Sequence, residues 1–455
     1  MSYARYHLNL WLTLKKEKIM NPIAQELNKI IQESNFHIFD MLSDMGKALF
    51  FPKGILSQSA EAKHKADKIN ATIGIAKEKN SVLSLSSITK YVKDIEPDKY
   101  LPYAPSFGIP ELRKQWKSDL FKKNPSLTGK DISLPVVTSG ITHGVSILSD
   151  MWVDKDDIIV LPDMMWGNYN MTFCVRNSGR IVHYKAYDDA LTKFNIDSFE
   201  TVIGEQAQKN DKVITILNFP HNPSGYSLSV EEAERVATIL IDTAENGTNV
   251  VAACDDAYFG LFFEAETSKE SIFTKITGKS ERLLAVKLDG ATKEDYVWGF
   301  RTGFITYGVC EKDKEILEAL EKKTAGCIRG NISNASHLSQ TILLKAMADE
   351  HYASKKQEKF DLLKRRANRM KQVLKDPKYA KGFEVYPFNS GYFMCIRLKD
   401  VNAEDLRVHL LNEYGTGLIS IGDKNIRVAF SCLEAEDAKT LFDTILRGIQ
   451  DLKKT

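Results

Sequence analysis

The chain has 455 residues, 43% of them hydrophobic and 27% charged, with a formal net charge of +2. That length is too great for one compact core and implies two or three domains. The near-neutral charge gives no electrostatic reason to expect nucleic acid or an anionic membrane as a partner.

The six cysteines, Cys174, Cys254, Cys310, Cys327, Cys395 and Cys432, form no CxxC pair. Neither a disulfide framework nor a zinc site is indicated, and a reducing cytoplasm fits best. No apolar run is long enough to cross a membrane. The run HLNLWLTL, residues 7–14, is short, is followed by KKEK and shows no small-residue cleavage site. Residues 1–19 read either as an N-terminal extension ahead of a second methionine, Met20, or as a real arm. Residues 22–50 read as helix. A polar connector follows and ends in a short apolar segment carrying Gly74.

From about Tyr100 strands and helices alternate. Helix is expected at 109–122, strand at 133–138 and helix at 142–152. Strand DIIVLPD, a helix near Tyr169, strand RIVHYKAY and strand VITILNFP come next. Helix SVEEAERVATILIDTAEN opens with a capping box of Ser229 and Glu232. Strands NVVAACDDAY, RLLAVKL and FITYGV complete the set. Continuous apolar strands alternating with helices indicate an α/β domain with a mostly parallel sheet covered on both faces. Ligands then belong in the loops at the carboxyl ends of the strands. A long charged helical pattern runs from Ser336 to about Leu374. After it come strands FEVYPF and YFMCIRL, helix AEDLRVHLLNEY, a hairpin around Gly422 and a closing helix from Glu434. The expected domains are 20–95, the N-terminal part of a small α+β domain with its connector; 96–345, a large domain; and 346–455, the rest of the small domain.

Five loops at strand ends carry chemical groups. TSGITHG (138–144) enters a helix, and free N–H groups there bind phosphate; the plain alternative is a helix cap. Trp166 in PDMMWGNYN lies where a ring could stack on a flat ligand, although a lone Trp is more often core. Asn222 in NFPHNPSG offers an amide, or is simply a turn residue. Asp255 and Asp256 close an apolar run, with Tyr258 three residues after Asp255. A carboxylate at a pocket floor is costly without a cation; the alternative is a helix N-cap. Lys293 follows a glycine turn, and Arg301 stands eight residues later, just ahead of the next strand. A desolvated lysine loses its proton more easily and can form a Schiff base. An arginine beside it offers a fork of donors to a phosphate. A single loop lysine is usually a solvated charge, so the weight rests on all five loops in this order.

With those residues assembled, the sequence resembles the class I/II aminotransferases, pyridoxal-phosphate enzymes of fold type I, and the aspartate aminotransferase branch in particular. The likeness covers roughly residues 70–428. It implies a seven-stranded large domain, pyridoxal 5'-phosphate as cofactor, no metal, and a homodimer whose active site is shared between subunits. YAPSFGIPELR resembles a family segment that puts Tyr103 on the phosphate of the neighbouring subunit. Gly140, Ile141 and Thr142 match the phosphate cup, Trp166 the stacking ring, and Asn222 and Tyr258 the partners of the phenolic oxygen. Asp255 matches the pyridine-nitrogen partner, Lys293 the Schiff-base lysine and Arg301 the phosphate arginine. Arg427 in NIRVAFS matches the arginine for the substrate α-carboxylate. Gly74 resembles the glycine that closes over substrate, and Asn389, Ser390 and Gly391 fall in a segment near that carboxylate site. Arg329 in CIRGNISNAS resembles the arginine that grips a distal carboxylate from the other subunit, which favours dicarboxylates; the plain alternative is a helix cap.

Two departures stand out. Gly290 occupies the place where the family commonly has a phosphate-binding serine, which leaves Thr292 or another group to compensate. Tyr169 stands where the aspartate branch often has histidine, so the support under Asp255 differs. The resemblance implies that Lys293 moves the Cα proton while Asp255 keeps the cofactor ring protonated. Aromatic or other neutral amino acids are the next substrate class. Lyases and decarboxylases of the same fold share the constellation. A regulator built on this fold would need a basic helix-turn-helix before residue 100, and none is clear. A dinucleotide-binding dehydrogenase would need a GxGxxG after a strand, and none is present.

Overall fold

The computed structural model describes residues 20–50, 54–79, 81–310 and 314–454. The two readings of residues 1–19 therefore lie outside the described residues. The chain separates into two units, divided after Lys53. In the first, residues 22–50 form three helices rather than one: Pro22–Ser34, Phe36–Met41 and Asp44–Ala48. The first ends where Asn35 turns extended, at φ −158°. The last restarts at Ser43, whose hydroxyl accepts from the Gly46 N–H. Serine offers the backbone this local alternative to a continuing helix.

The second unit contains the seven-stranded sheet. Its strands are β1 (Val136–Thr138), β2 (Ile158–Pro162), β3 (Arg180–Tyr184), β4 (Lys212–Leu217), β5 (Asn249–Asp255), β6 (Leu283–Gly290) and β7 (Gly303–Gly308). Their order across the sheet is β1-β7-β6-β5-β4-β2-β3. Every pairing is parallel except those of β7, which runs antiparallel to both β1 and β6. β2, β4, β5 and β6 are buried almost without interruption, as a sheet covered on both faces demands. Flanking helices include α1 (Pro110–Lys123), α2 (Ile141–Trp152) and α3 (Val230–Glu245). The capping box at α3 forms, with Ser229 accepting from the Glu232 N–H and Glu232 from the Ser229 N–H. A helix absent from the sequence reading, Ile196–Ala207, fills the connection from β3 to β4, with Asn195 as its N-cap.

Register decides where the chemistry gathers. Asp255 pairs with Leu288, and Gly303 pairs with both Gly290 and Thr138. The parallel strands end along one edge, and β7, running the other way, begins there. Arg301 is thereby delivered to the edge that already holds the loops after β1, β5 and β6. The loop expected around Lys293 is a single helical turn, α4 (Ala291–Glu294), entered directly from β6.

A second, antiparallel sheet consists of β8 (Phe383–Val385), β9 (Phe393–Leu398), β10 (Ile419–Ile421) and β11 (Asn425–Ala429), in the order β8-β9-β11-β10. The early part of this unit joins it. Ile69–Asn70 pairs in parallel with Thr416–Gly417, and the Ala429 N–H donates to the Ala71 carbonyl at 2.9 Å. The smaller α+β part is thus made from segments far apart in sequence. After α5 (Lys314–Asn331), the long charged pattern proves to be two helices, α6 (His337–Met347) and α7 (Tyr352–Leu374). They break at Asp349, whose carboxylate accepts from the His351 N–H at 2.9 Å and pairs with Lys90.

Candidate active site

Lys293 sits in the one-turn helix after β6, its carbonyl accepting from the Tyr392 hydroxyl at 3.0 Å. Its Nζ lies 4.9 Å from the centre of the Tyr258 ring. Burial pulls the amine down to about 8; the Arg301 charge adds to the drop and Asp255 opposes it. The residue is half-buried, and the protein packed around its amine leaves the ammonium less well solvated than in open water. Lys287, six residues earlier, behaves differently. It is fully buried in β6 and bridges Asp256 and Asp289, and those carboxylates outweigh burial and hold its pKa above the usual lysine range. Of these two lysines, Lys293 gives up its proton more readily.

Asp255 closes β5 and is buried. Its Oδ2 accepts from the Tyr169 hydroxyl at 2.6 Å and its Oδ1 from the Ala257 N–H at 3.2 Å. Burial raises its carboxyl pKa, against the Tyr169 hydrogen bond and the Lys293 charge. The departure noted at Tyr169 places a neutral O–H donor on the carboxylate. Asn218, which the sequence reading passed over, donates to the Asp255 carbonyl at 2.8 Å and accepts the Asn222 N–H at 2.9 Å. It joins two of the loops. Asp256 has different partners: it accepts from the Ser271 hydroxyl at 2.6 Å and from Lys287. Side chains alternate along a strand, and here one neighbour serves the site and the other the core.

The turn after β1 is shaped by Gly140, at φ 77°. A Cβ there would fall 2.3 Å from Arg301 Nη2, so only glycine lets the guanidinium lie against this turn. The first N–H groups of α2, at Ile141 and Thr142, have no intrahelical acceptor and stand at the positive end of the helix dipole. The Thr292 hydroxyl is buried without a hydrogen-bond partner. Such a group is costly unless something arrives to meet it. Gly290 explains its own departure. A Cβ on it would lie 2.7 Å from both Gly303 Cα and the Thr302 carbonyl oxygen. A serine there would force β6 and β7 apart, which leaves the hydroxyl to Thr292. Gly290→Ser is expected to cost about 1–3 kcal/mol of stability and to weaken cofactor binding; urea unfolding and a cofactor titration would measure both, and an unchanged midpoint would contradict the packing argument.

Arg427 comes from β11 and is 2% exposed. Its Nη1 donates to Asn222 Oδ1 at 3.1 Å and its Nη2 to the Thr72 carbonyl at 2.9 Å, while Nε has no partner. The guanidinium lies 4.2 Å over the Phe393 ring. Among the described residues it has no carboxylate partner, and an unpaired buried cation calls for an anionic ligand. Gly74 is close by: a Cβ on it would meet Phe393 at 3.4 Å and the Tyr258 hydroxyl at 4.0 Å. Trp166 packs edge-on against Tyr169, with centroids 5.4 Å apart.

Asn389, Ser390 and Gly391 act more indirectly. The Asn389 side chain bonds the Ser227 backbone in both directions, and the Asn389 and Ser390 N–H groups donate to the Gly225 carbonyl. They hold the Asn222 loop. Tyr103, 89% exposed, and Arg329, also exposed, form no hydrogen bond, ion pair or ring contact with this cluster. Arg329 donates to the Ser333 hydroxyl at 2.6 Å, at the end of α5.

The seven-stranded sheet thus brings Lys293, the buried Asp255 carboxylate and Arg301 to one edge, and β11 of the second sheet adds Arg427 beside Asn222. The chain belongs to the family described as aminotransferase class I and II, whose model matches residues 66–445; it is an amino acid aminotransferase of that pyridoxal-phosphate-dependent family. An aspartate aminotransferase of Pyrococcus horikoshii is 22% identical over 82% of this chain and 90% of its own length. An aromatic-amino-acid aminotransferase of Thermococcus litoralis is 21% identical over 48% of this chain and 52% of its own. The solved structure of an aminotransferase from Anaerococcus prevotii matches with a TM-score of 0.80 at 24% identity, covering 90% of this chain and 98% of that one.

Proposed function

We propose that this enzyme carries pyridoxal phosphate on Lys293 and passes the amino group of an L-amino acid to a 2-oxo acid, one partner being a dicarboxylate such as aspartate, glutamate or 2-oxoglutarate. The observation that carries the reading is the place of the Lys293 amine, 4.9 Å from the Tyr258 ring and within range of the Asp255 and Arg301 charges, where its pKa is lowered to about 8. The unpartnered Thr292 hydroxyl and the Gly140 turn support the fit at a phosphate end, and the buried Asp255 supports it at a cationic ring nitrogen.

When bound, the cofactor supplies an electron sink for the substrate Cα. Gly140, Ile141, Thr142, Thr292 and Arg301 would hold its phosphate, and Trp166 would stack on its ring. Asn222 and Tyr258 would meet its phenolic oxygen, and Asp255 its ring nitrogen. Arg427 takes the substrate α-carboxylate, under the segment around Gly74. Once the docked substrate's amino group had taken the lysine's place on the cofactor, the freed Lys293 amine would take the Cα proton and later return it. A base whose pKa lies near the working pH suits both directions. Tyr103 and Arg329 are contributed by a second copy of the chain, so the active unit is a homodimer. The six free cysteines favour a reducing cytoplasm.

Borohydride treatment of the purified holoenzyme is expected to bleach its colour and to label the peptide containing Lys293; a label on Lys287 would sink the assignment. The substrate class is tested by Arg329→Leu, with each half-reaction followed by cofactor absorbance. Losing one partner of a desolvated charge pair costs about 2–5 kcal/mol, roughly thirtyfold to a few thousandfold. That loss is expected with aspartate and not with phenylalanine. Equal losses, or wild-type indifference to aspartate, would end the dicarboxylate reading.

A further inference from the structure

Behind Lys293 lies a cluster of buried charges that the reaction does not itself use. Glu294 accepts from Lys123 of α1 and, at 2.9 Å, from Lys356 of α7. Asp295, fully buried, meets Lys356 at 2.9 Å and the Tyr352 hydroxyl through Oδ1, while its Oδ2 has no partner. One ammonium is thus shared by the carboxylates of the two residues directly after Lys293. The cluster extends to Asp256 as well. Lys123 rests 4.8 Å from the Trp116 ring, whose indole N–H donates to Asp289 at 3.1 Å, and Asp289 lies beside Lys287, the partner of Asp256.

The helix that provides Lys356 has other attachments. Lys359 pairs with Glu78 at 2.8 Å. Arg366 donates to the Lys77 carbonyl at 2.6 Å and the Ser431 carbonyl at 2.7 Å, and pairs with Glu434. The Ser431 hydroxyl in turn donates to the Ile75 carbonyl at 2.7 Å, next to Gly74. One helix therefore ties the turn carrying Lys293 to the segment beside the substrate-carboxylate site. Stability alone is a weak reason for such a cluster. A buried ion pair replaced by well-packed apolar groups is often no less stable.

We propose that Lys356 is a positioning residue for Lys293: through Glu294 and Asp295 it sets where the reacting amine stands, and α7 links that setting to the Gly74 segment. The inference rests on Lys293 as the cofactor-bearing amine. A displacement of about 1 Å in a reacting group costs on the order of a hundredfold.

The test compares the affinity of cofactor-free protein for pyridoxal phosphate and for pyridoxamine phosphate. Only the first has an aldehyde for Lys293 to bond; the second reads the integrity of the rest of the pocket. Lys356→Met is expected to weaken pyridoxal phosphate about a hundredfold and to leave pyridoxamine phosphate nearly unchanged. In the holoenzyme, kcat should fall by a similar factor with KM for the donor little altered. Lys356→Arg should recover much of the loss, because a guanidinium can reach both carboxylates. Asp295→Asn, which keeps its shape, should give a smaller effect of the same kind if Lys356→Met does not fold. Equal losses for the two cofactor forms, no loss in either, or failure of both variants to fold would assign the cluster to stability and overturn the proposal. Lys293→Ala separates the two readings. If that variant kept the wild-type preference for pyridoxal phosphate, the role of Lys293 would fall. A wild-type preference in Lys356→Met, with Lys293→Ala behaving as expected, would overturn only the positioning role.

Discussion

Asp255→Ala is expected to lower kcat by about a thousandfold or more while the protein still folds and takes up cofactor. Asp255 is the carboxylate that Tyr169 and the Ala257 N–H hold within range of the Lys293 charge. Without it, on the proposed binding, nothing else at that position would stabilise a protonated ring, and the ring would withdraw electrons less well from the substrate Cα. Removing one fixed electrostatic contact of this kind costs about 2.7–4 kcal/mol; loss of the ring proton deepens it. Asp256→Ala should show the reverse signature. It strips Lys287 of its close partner and leaves only Asp289, at 3.7 Å. Breaking a buried pair costs about 3–5 kcal/mol of stability, while surviving folded protein keeps its chemistry. Turnover numbers and urea midpoints on both variants distinguish the two carboxylates. Near-normal turnover in Asp255→Ala would refute the assignment.

Lys293→Ala should be more severe still. In the proposed reaction its amine is both the anchor for the cofactor and the base at the substrate Cα, and acid–base catalysis alone is worth about 10²–10⁴ in rate. Transamination should fall below detection in a steady-state assay, while pyridoxamine phosphate still binds and circular dichroism is unchanged. The wild-type amine also predicts a pH dependence. With a pKa of about 8, it is protonated and unreactive below that pH and neutral above it. The rate at which cofactor-free protein captures pyridoxal phosphate should therefore rise as pH is raised through about 8. A rate flat across that range would show that the amine is already neutral.

Much of the site was legible because its residues sit on strand ends, and strand ends are marked locally. Apolar runs followed by Gly140, Asp255 or Gly290 announce a turn at the edge of a sheet, and the spacing from Lys293 to Arg301 crosses one such turn. The capping box at Ser229 is local too and formed as read. The missed helix at 196–207 was also within reach: Phe199, Val202 and Ile203 share one face, and Asn195 stands at its cap. The split of 22–50 was less so, because the break at Asn35 carries no glycine or proline.

The sequence by itself determined which chemical groups stand at which strand ends, since a strand and its turn are specified by neighbours a few residues away. The tertiary structure decided what each group does there. Tyr169 meets Asp255 across 86 residues of chain, and Arg427 meets Asn222 across 205. Gly290 is a glycine because Thr302 and Gly303 pass within 2.7 Å of where its side chain would be. Lys287, deep in β6, is tolerable only because Asp256 and Asp289 surround it. These are contacts through space, fixed by which strands lie side by side and in what register. A pattern read along the chain contains no distance between strands, so it cannot tell a buried charge that is held in place from one that is free to react.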